Sequence, residues 1–152
     1  MILPELSSTD KSGDIKLPEF LYGDSSRLKQ VLIMLVKMAL KGVLDTRLSI
    51  ATRYEADSQL LYVEIDDPLG HIYSQMSRVI NQGDSESLKA LSTSTEIEPM
   101  ILKGIIEKNG GEIQIQKPSR NSEGYSVTFT MRMHTLDNAL DSQGEVIVDF
   151  DA

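Results

Sequence analysis

The stretch Gly23–Val43, GDSSRLKQVLIMLVKMALKGV, is the longest strongly patterned segment of this 152-residue chain. Its apolar residues recur at steps of three and four, which places them on one face of a helix. These residues are Leu28, Val31, Leu32, Leu35, Val36 and Ala39. Asp24, Ser25 and Ser26 offer side-chain acceptors for the free amides of a helix N-terminus. Gly42 can adopt the left-handed conformation that closes a helix. The pattern therefore predicts a central, largely buried helix.

The composition is that of an ordinary soluble domain. Hydrophobic residues make up 40% of the chain and charged residues 25%, and the length suits one domain with a sizeable core. The sequence contains no cysteine, which excludes disulfides and thiolate metal sites. Its two histidines, His71 and His134, form no close-spaced ligand pair, so no metal site is predicted; we interpret His134 as a surface residue.

No apolar run is long enough to span a bilayer, and the first residues lack a secretory pattern. The sequence therefore predicts a cytoplasmic protein, or the cytoplasmic portion of a larger one, without membrane insertion of this segment.

The net charge of −8 is unevenly distributed. Residues 135–152 carry five acidic residues and no Lys or Arg, so this segment accounts for five of the eight net negative charges. Nucleic-acid binding depends on neutralisation of phosphates by Lys and Arg, which argues against a nucleic-acid partner. We interpret the segment as a solubilising acidic tail.

Strands and helices follow one another in groups along the chain. Two alternating runs, Arg47–Tyr54 and Gln59–Ile65, predict a β-hairpin, and Glu112–Gln116 and Tyr125–Met133 predict two later strands. Between these pairs lie a short helix after Gly70 and a second helix that begins near Pro99. The second helix has a predicted apolar face of Met100, Ile101, Ile105 and Ile106. Segregated elements predict an α+β, two-layer sandwich with a mixed, mostly antiparallel sheet covered by helices on one face.

The pattern also divides the chain into three parts. Residues 1–15 are polar and predict a flexible N-terminal segment, residues 16–134 form the domain, and residues 135–152 form the acidic tail. The run Glu145–Phe150 within the tail is a candidate edge strand.

Four strings in this order resemble the ATP-binding catalytic domain of sensor histidine kinases, within the histidine kinase-like ATPase superfamily. Residues 23–32 resemble the lead into the helix that carries the family's asparagine, and residues 61–67 resemble the strand that carries its adenine-binding aspartate. Residues 101–113 resemble the helix and glycine pair after its second glycine-rich box, and residues 124–130 its last core strand. The resemblance covers roughly residues 15–133 and implies the same sandwich fold.

The positions that hold Mg²⁺ and phosphate in this family are changed. The resemblance places its magnesium-binding asparagine at Met38 and a second polar residue at Met34. A thioether is a poor ligand for a hard cation that prefers oxygen. We expect the two methionines to pack into the former nucleotide cleft and partly fill it. Lys41 does match the family and would meet a phosphate if nucleotide bound.

The aspartate-glycine box is also altered. Asp67 matches the carboxylate that accepts a hydrogen bond from the adenine amino group, but Leu69 and His71 replace the two following glycines. Glycine serves there because the backbone must approach the ligand closely. A register shift of one residue would instead use Gly70 for the turn and Asp66 as the carboxylate.

The second glycine-rich box should cradle phosphates with backbone amides. The corresponding residues 96–99 read Glu-Ile-Glu-Pro, so two carboxylates repel phosphate and the proline lacks an amide donor. A phosphoacceptor histidine on a helical hairpin, which a complete histidine kinase also needs, is not recognisable.

The resemblance and its departures lead to two alternatives. The first is a degenerate catalytic domain of a sensor or hybrid histidine kinase, which has lost ATP binding and serves as a signalling interaction module. Its partner would be a kinase, a receiver domain or a second copy, and it would need no cofactor, no metal and no catalytic residue. The second is a divergent but working domain that binds ATP with magnesium through Asp67, Lys41 and Gly70. The enzyme assignment stays open between them, and a structural module that resembles the family by convergence is a third class.

Overall fold

The computed structural model describes residues 17–43, 47–81, 97–117 and 123–136, and these ranges contain three helices and four strands. In chain order they are α1 (Ser25–Ala39), β1 (Ile50–Glu55), β2 (Leu60–Asp67), α2 (His71–Asn81), α3 (Ile97–Lys108), β3 (Ile113–Gln116) and β4 (Tyr125–Arg132). The four strands pair antiparallel throughout, in the spatial order β1-β2-β4-β3. The predicted α+β class is confirmed.

The core lies between one face of this sheet and the helices. Residues of β2 alternate between buried and less buried positions, and Val63 lies opposite Phe129 of β4 in the antiparallel register. Alternation of this kind directs one set of side chains toward the helices and the other away from them. Buried side chains of the three helices join the strand residues in one cluster; Leu35 of α1, Ile72 of α2 and Ile106 of α3 are all 0% exposed.

Helix α1 begins where the sequence predicts and ends earlier. The Asp24 carboxylate accepts a hydrogen bond from the Arg27 amide at 3.0 Å, so Asp24 is the N-cap. The helix ends at Ala39 with Leu40 as its C-cap, and Gly42, with a φ of +75°, lies in the turn beyond. The left-handed conformation predicted for Gly42 is therefore confirmed, but this residue lies two positions beyond the C-cap and does not itself close the helix.

The face that helix α3 turns inward overlaps only in part with the one its pattern predicts. Leu102 is 0% exposed and packs in the core, whereas Ile101, on the predicted face, is 46% exposed. The prediction is correct for Ile105 and Ile106, which are both buried. Pro99 lies in the first turn of α3, where a missing amide donor does not interrupt the helical hydrogen bonds.

Close backbone approach fixes the turn that joins α3 to β3. A Cβ atom on Gly111 would lie 1.7 Å from the carbonyl oxygen of Thr130, which only a glycine avoids without a backbone shift. The adjacent Gly110 has a φ of +73°, in the left-handed region that side chains disfavour. The predicted helix-closing role of this glycine pair is thus consistent with the geometry.

Within the described ranges, no helix has both the length and the apolar character required to cross a membrane. The predicted flexible segment 1–15 and the candidate edge strand Glu145–Phe150 lie outside the described residues.

Candidate functional site

The sequence-predicted site lies where β2 ends, the chain turns, and α2 begins against the C-terminal end of α1. The turn is closed by a hydrogen bond from the Gly70 amide to the Asp67 carbonyl at 3.1 Å, and Gly70 has a φ of +69°. Gly124 packs on the other side of this turn, where an added Cβ would lie 2.6 Å from the Cα of Pro68. The turn is therefore held tightly between the start of β4 and the start of α2.

Asp67 is completely buried, with 0% of its surface exposed. Its Oδ1 accepts a hydrogen bond from the His71 amide, and its Oδ2 accepts one from the Tyr73 amide, each at 3.0 Å. These amides belong to the first turn of α2, where a helix leaves donors unsatisfied and where negative charge is favourable. Asp67 therefore anchors the start of α2 through both carboxylate oxygens.

Asp66, the carboxylate of the shifted register, lies on the opposite side of the sheet. Successive side chains of a strand point to opposite faces, and Asp66 is exposed whereas Asp67 is buried. A shift of one residue would therefore direct the carboxylate away from the helices. The Asp66 alternative does not fit this arrangement.

The start of α2 is docked on the end of α1 by two polar side chains. Nδ1 of His71 lies 3.3 Å from the Ala39 carbonyl, to which it donates in the Nδ1–H tautomer. Nε2 of Gln75 donates to the Met38 carbonyl at 3.5 Å and to the His71 carbonyl at 3.0 Å. His71 stands at one of the two positions where the resemblance expects glycine, so its imidazole occupies space that a glycine would leave open.

The two methionines of α1 pack against the core. Met38 is only 3% exposed and belongs to the central cluster, and Met34 is half-buried against the same cluster. Both side chains therefore pack against the core, as expected, and their filling of a former nucleotide cleft stays a prediction. Both thioethers therefore contribute apolar contact on the side of α1 that faces the protein interior.

The three sequence-predicted cofactor residues lie on two segments of the chain. Asp67 and Gly70 lie in one turn, joined by their backbone hydrogen bond. Lys41 is exposed two residues beyond the end of α1, and its side chain makes no hydrogen bond or ion pair within the described ranges. The part of the chain that the structure describes holds no group of three or more His, Asp or Glu side chains that would bind a metal ion.

An aromatic pair beside this turn has no counterpart in the sequence-based predictions. The rings of Tyr73 and Tyr125 stack with centroids 4.1 Å apart and an interplanar angle of 5°. The Tyr125 ring also lies 3.2 Å from the point where a Cβ on Gly70 would be. Tyr125 faces Asp67 across the β2–β4 ladder, a register that is set by distant pairing and leaves no local signal.

Sequence comparison adds no relative: no protein-family model matches the chain, and no curated protein shows significant similarity to it.

Proposed function

We propose that the chain is a degenerate ATP-binding catalytic domain of the sensor histidine kinase type, which keeps the sandwich and no longer binds Mg²⁺–ATP. Its work would be protein interaction in two-component signalling, with a kinase, a receiver domain or a second copy of this chain as partner. One observation carries the proposal: the buried carboxylate of Asp67 accepts hydrogen bonds from amides of α2 through both of its oxygens.

The hydrogen bonds of Asp67 to α2 support a loss of adenine recognition. In the domains that the sequence resembles, this carboxylate accepts a hydrogen bond from the adenine amino group. In this chain it has no exposed surface, so an adenine would reach it only if its surroundings, including the first turn of α2, moved away. Such a movement would also break the contacts of His71 and Gln75 with the carbonyl groups at the end of α1.

The residues at the magnesium and phosphate positions do not fit the nucleotide either. Met38 offers a weak, soft acceptor that is buried in the apolar cluster, where a hard cation would lose its hydration without gaining oxygen ligands. Glu98 lies exposed in the first turn of α3, where the resemblance expects a phosphate cradle, and its charge would repel phosphate. We therefore derive no catalytic step through ATP.

A second candidate is a divergent domain that still binds ATP. Lys41 favours it, since this side chain is exposed and without a partner in the described ranges and so is free to meet a phosphate. Under this alternative, Asp67 and Gly70 would contact the adenine after rearrangement of α2.

Calorimetric titration with Mg²⁺–ATP, supported by a thermal-shift scan, separates the two candidates. We expect no heat beyond dilution and no change in melting temperature, with an authentic histidine kinase catalytic domain titrated in parallel as the positive control. A nucleotide at a hundred times its Kd would add about 2.7 kcal/mol to stability, which for this chain length raises the melting temperature by roughly 5–10 °C. Micromolar binding or a rise of that size would reject the degenerate domain and establish the divergent one.

A further inference from the structure

A second polar site lies at the end of the sheet opposite Asp67. An open groove of about 420 Å³ is formed by the last turn of α3, the following Asn109–Gly110 turn, the end of β4 and Gly23. We call it the α3-end groove; Lys108, Arg132 and His134 line it. In the β2–β4 register Arg132 faces Leu60, seven residues from Asp67, which places the groove about 23 Å from the sequence-predicted site.

The groove is cationic in a chain of net charge −8. The side chains of Lys108 and Arg132 make no ion pair or hydrogen bond within the described ranges. Glu107 is the one carboxylate among the described lining residues, and its Oε1 lies 3.1 Å from Nζ of Lys103, which offsets its charge. The two positive charges of Lys108 and Arg132 together exceed the partial negative charge of about half a unit at the C-terminus of α3.

His134 also lines this groove. Its backbone is fixed by two hydrogen bonds with Tyr22, from the Tyr22 amide at 2.7 Å and to the Tyr22 carbonyl at 2.8 Å. Nδ1 of its ring is buried and has no hydrogen-bond partner among the described residues, which is rare for a buried polar atom. His134 therefore lies at the surface with intermediate exposure, as interpreted from the sequence, but its Nδ1 is enclosed.

The local geometry keeps the groove accessible. Gly110 has a φ of +73°, and Nε of Arg132 lies 3.3 Å from the point where its Cβ would be, so the guanidinium group runs directly over a residue without a side chain. A planar guanidinium, an ammonium and an imidazole are groups that recognise a tetrahedral, doubly charged oxyanion.

We propose that the α3-end groove binds a phosphate monoester group. Arg132 supplies paired donors to its oxygens, Lys108 supplies charge, and His134 completes its hydrogen bonding by reorienting toward the bound group. The site is independent of the nucleotide question, since it uses the opposite end of the sheet and none of the residues around Asp67.

The test is a two-dimensional NMR titration of the whole chain with inorganic phosphate, phenyl phosphate and a phosphoserine peptide, with the unphosphorylated peptide as the reference. We expect saturable shifts of the Gly110 and His134 amides and of the Arg132 Nε–H. If the phosphoserine peptide binds at least tenfold more tightly than phenyl phosphate, the natural ligand is a phosphorylated protein. A smaller difference indicates a small phosphate monoester. Shifts that are absent or map elsewhere, or equal binding of the unphosphorylated peptide, would overturn the proposal.

Matched variants test the assignment of residues. K108Q combined with R132Q should weaken binding of the tightest phosphate probe by about a hundredfold, since each lost charge-assisted hydrogen bond weakens binding about tenfold. K29Q combined with K37Q removes the same charge from exposed positions on α1 and should change affinity less than about twofold. An equal loss of affinity in the two double variants would mean that binding is a non-specific charge effect and would overturn the proposal. If the K108Q and R132Q double variant fails to fold, the titration of the unaltered chain still decides the question.

Discussion

Replacement of Asp67 by alanine is expected to lower the free energy of unfolding by about 3 kcal/mol, because hydrogen bonds to a charged group contribute about 1.5–3 kcal/mol each and relief of carboxylate burial offsets part of that loss. The substitution leaves the amides of His71 and Tyr73 without their acceptors in the first turn of α2. Urea denaturation, followed by far-UV circular dichroism, measures the change.

The adjacent carboxylate provides the control for this prediction. Asp66 is exposed, so Asp66→Ala should change the free energy of unfolding by less than about 0.5 kcal/mol. If the two alanine variants were equally stable, Asp67 would not anchor α2, and its carboxylate would be available for another role.

Replacement of Met38 by asparagine, the residue that the resemblance expects there, is expected to destabilise the fold by about 4 kcal/mol. Truncation of a buried methionine lowers the free energy of unfolding by about 2–5 kcal/mol, and a buried amide without hydrogen-bond partners lowers it by about 1–3 kcal/mol more. Relaxation of the surrounding structure recovers part of this loss. Met38 is 3% exposed in the central cluster, so both effects apply. Calorimetric titration of the folded fraction with Mg²⁺–ATP should also show no gain of binding, because Asp67 stays bonded to α2.

Two further variants separate loss of packing from loss of a specific thioether role. Met38→Leu conserves volume and should cost less than about 1.5 kcal/mol. Met34→Asn should cost less than Met38→Asn because Met34 is only half-buried. A stable Met38→Asn variant that binds Mg²⁺–ATP would contradict the view that this position now belongs to the core.

Local signals in the sequence predict the elements whose limits are set locally. The cap at Asp24 follows from a side chain that accepts a hydrogen bond from an amide three residues later, and the alternation of β2 follows from the twofold period of a strand. The α+β class follows in turn from the grouping of these elements.

The predictions fail where contacts with distant parts of the chain determine the end of a helix or the face that it buries. Helix α1 ends at Ala39 rather than near Gly42, and the carbonyls at its end are met by His71 and Gln75 of α2, a contact between residues more than thirty positions apart. The inward face of α3 cannot be singled out from the sequence because apolar residues surround much of this helix, so several faces fit the same pattern.

The two sites differ in how far the sequence reveals them. Asp67 is recognisable at the end of a strand, and its position four and six residues before the two α2 amides that it binds is itself a signal for a helix-anchoring carboxylate. The α3-end groove has no such signal, because its residues meet only through the strand register and the bridge between Tyr22 and His134.

The central claim is that Asp67 holds the start of α2 and not an adenine. Two-dimensional NMR of the backbone amides of His71 and Tyr73 during a titration with Mg²⁺–ATP tests it most directly, since these amides report the two hydrogen bonds to the carboxylate. We expect both resonances to stay in place at every nucleotide concentration. Saturable movement of both resonances would show that nucleotide displaces α2 from Asp67 and would contradict this claim.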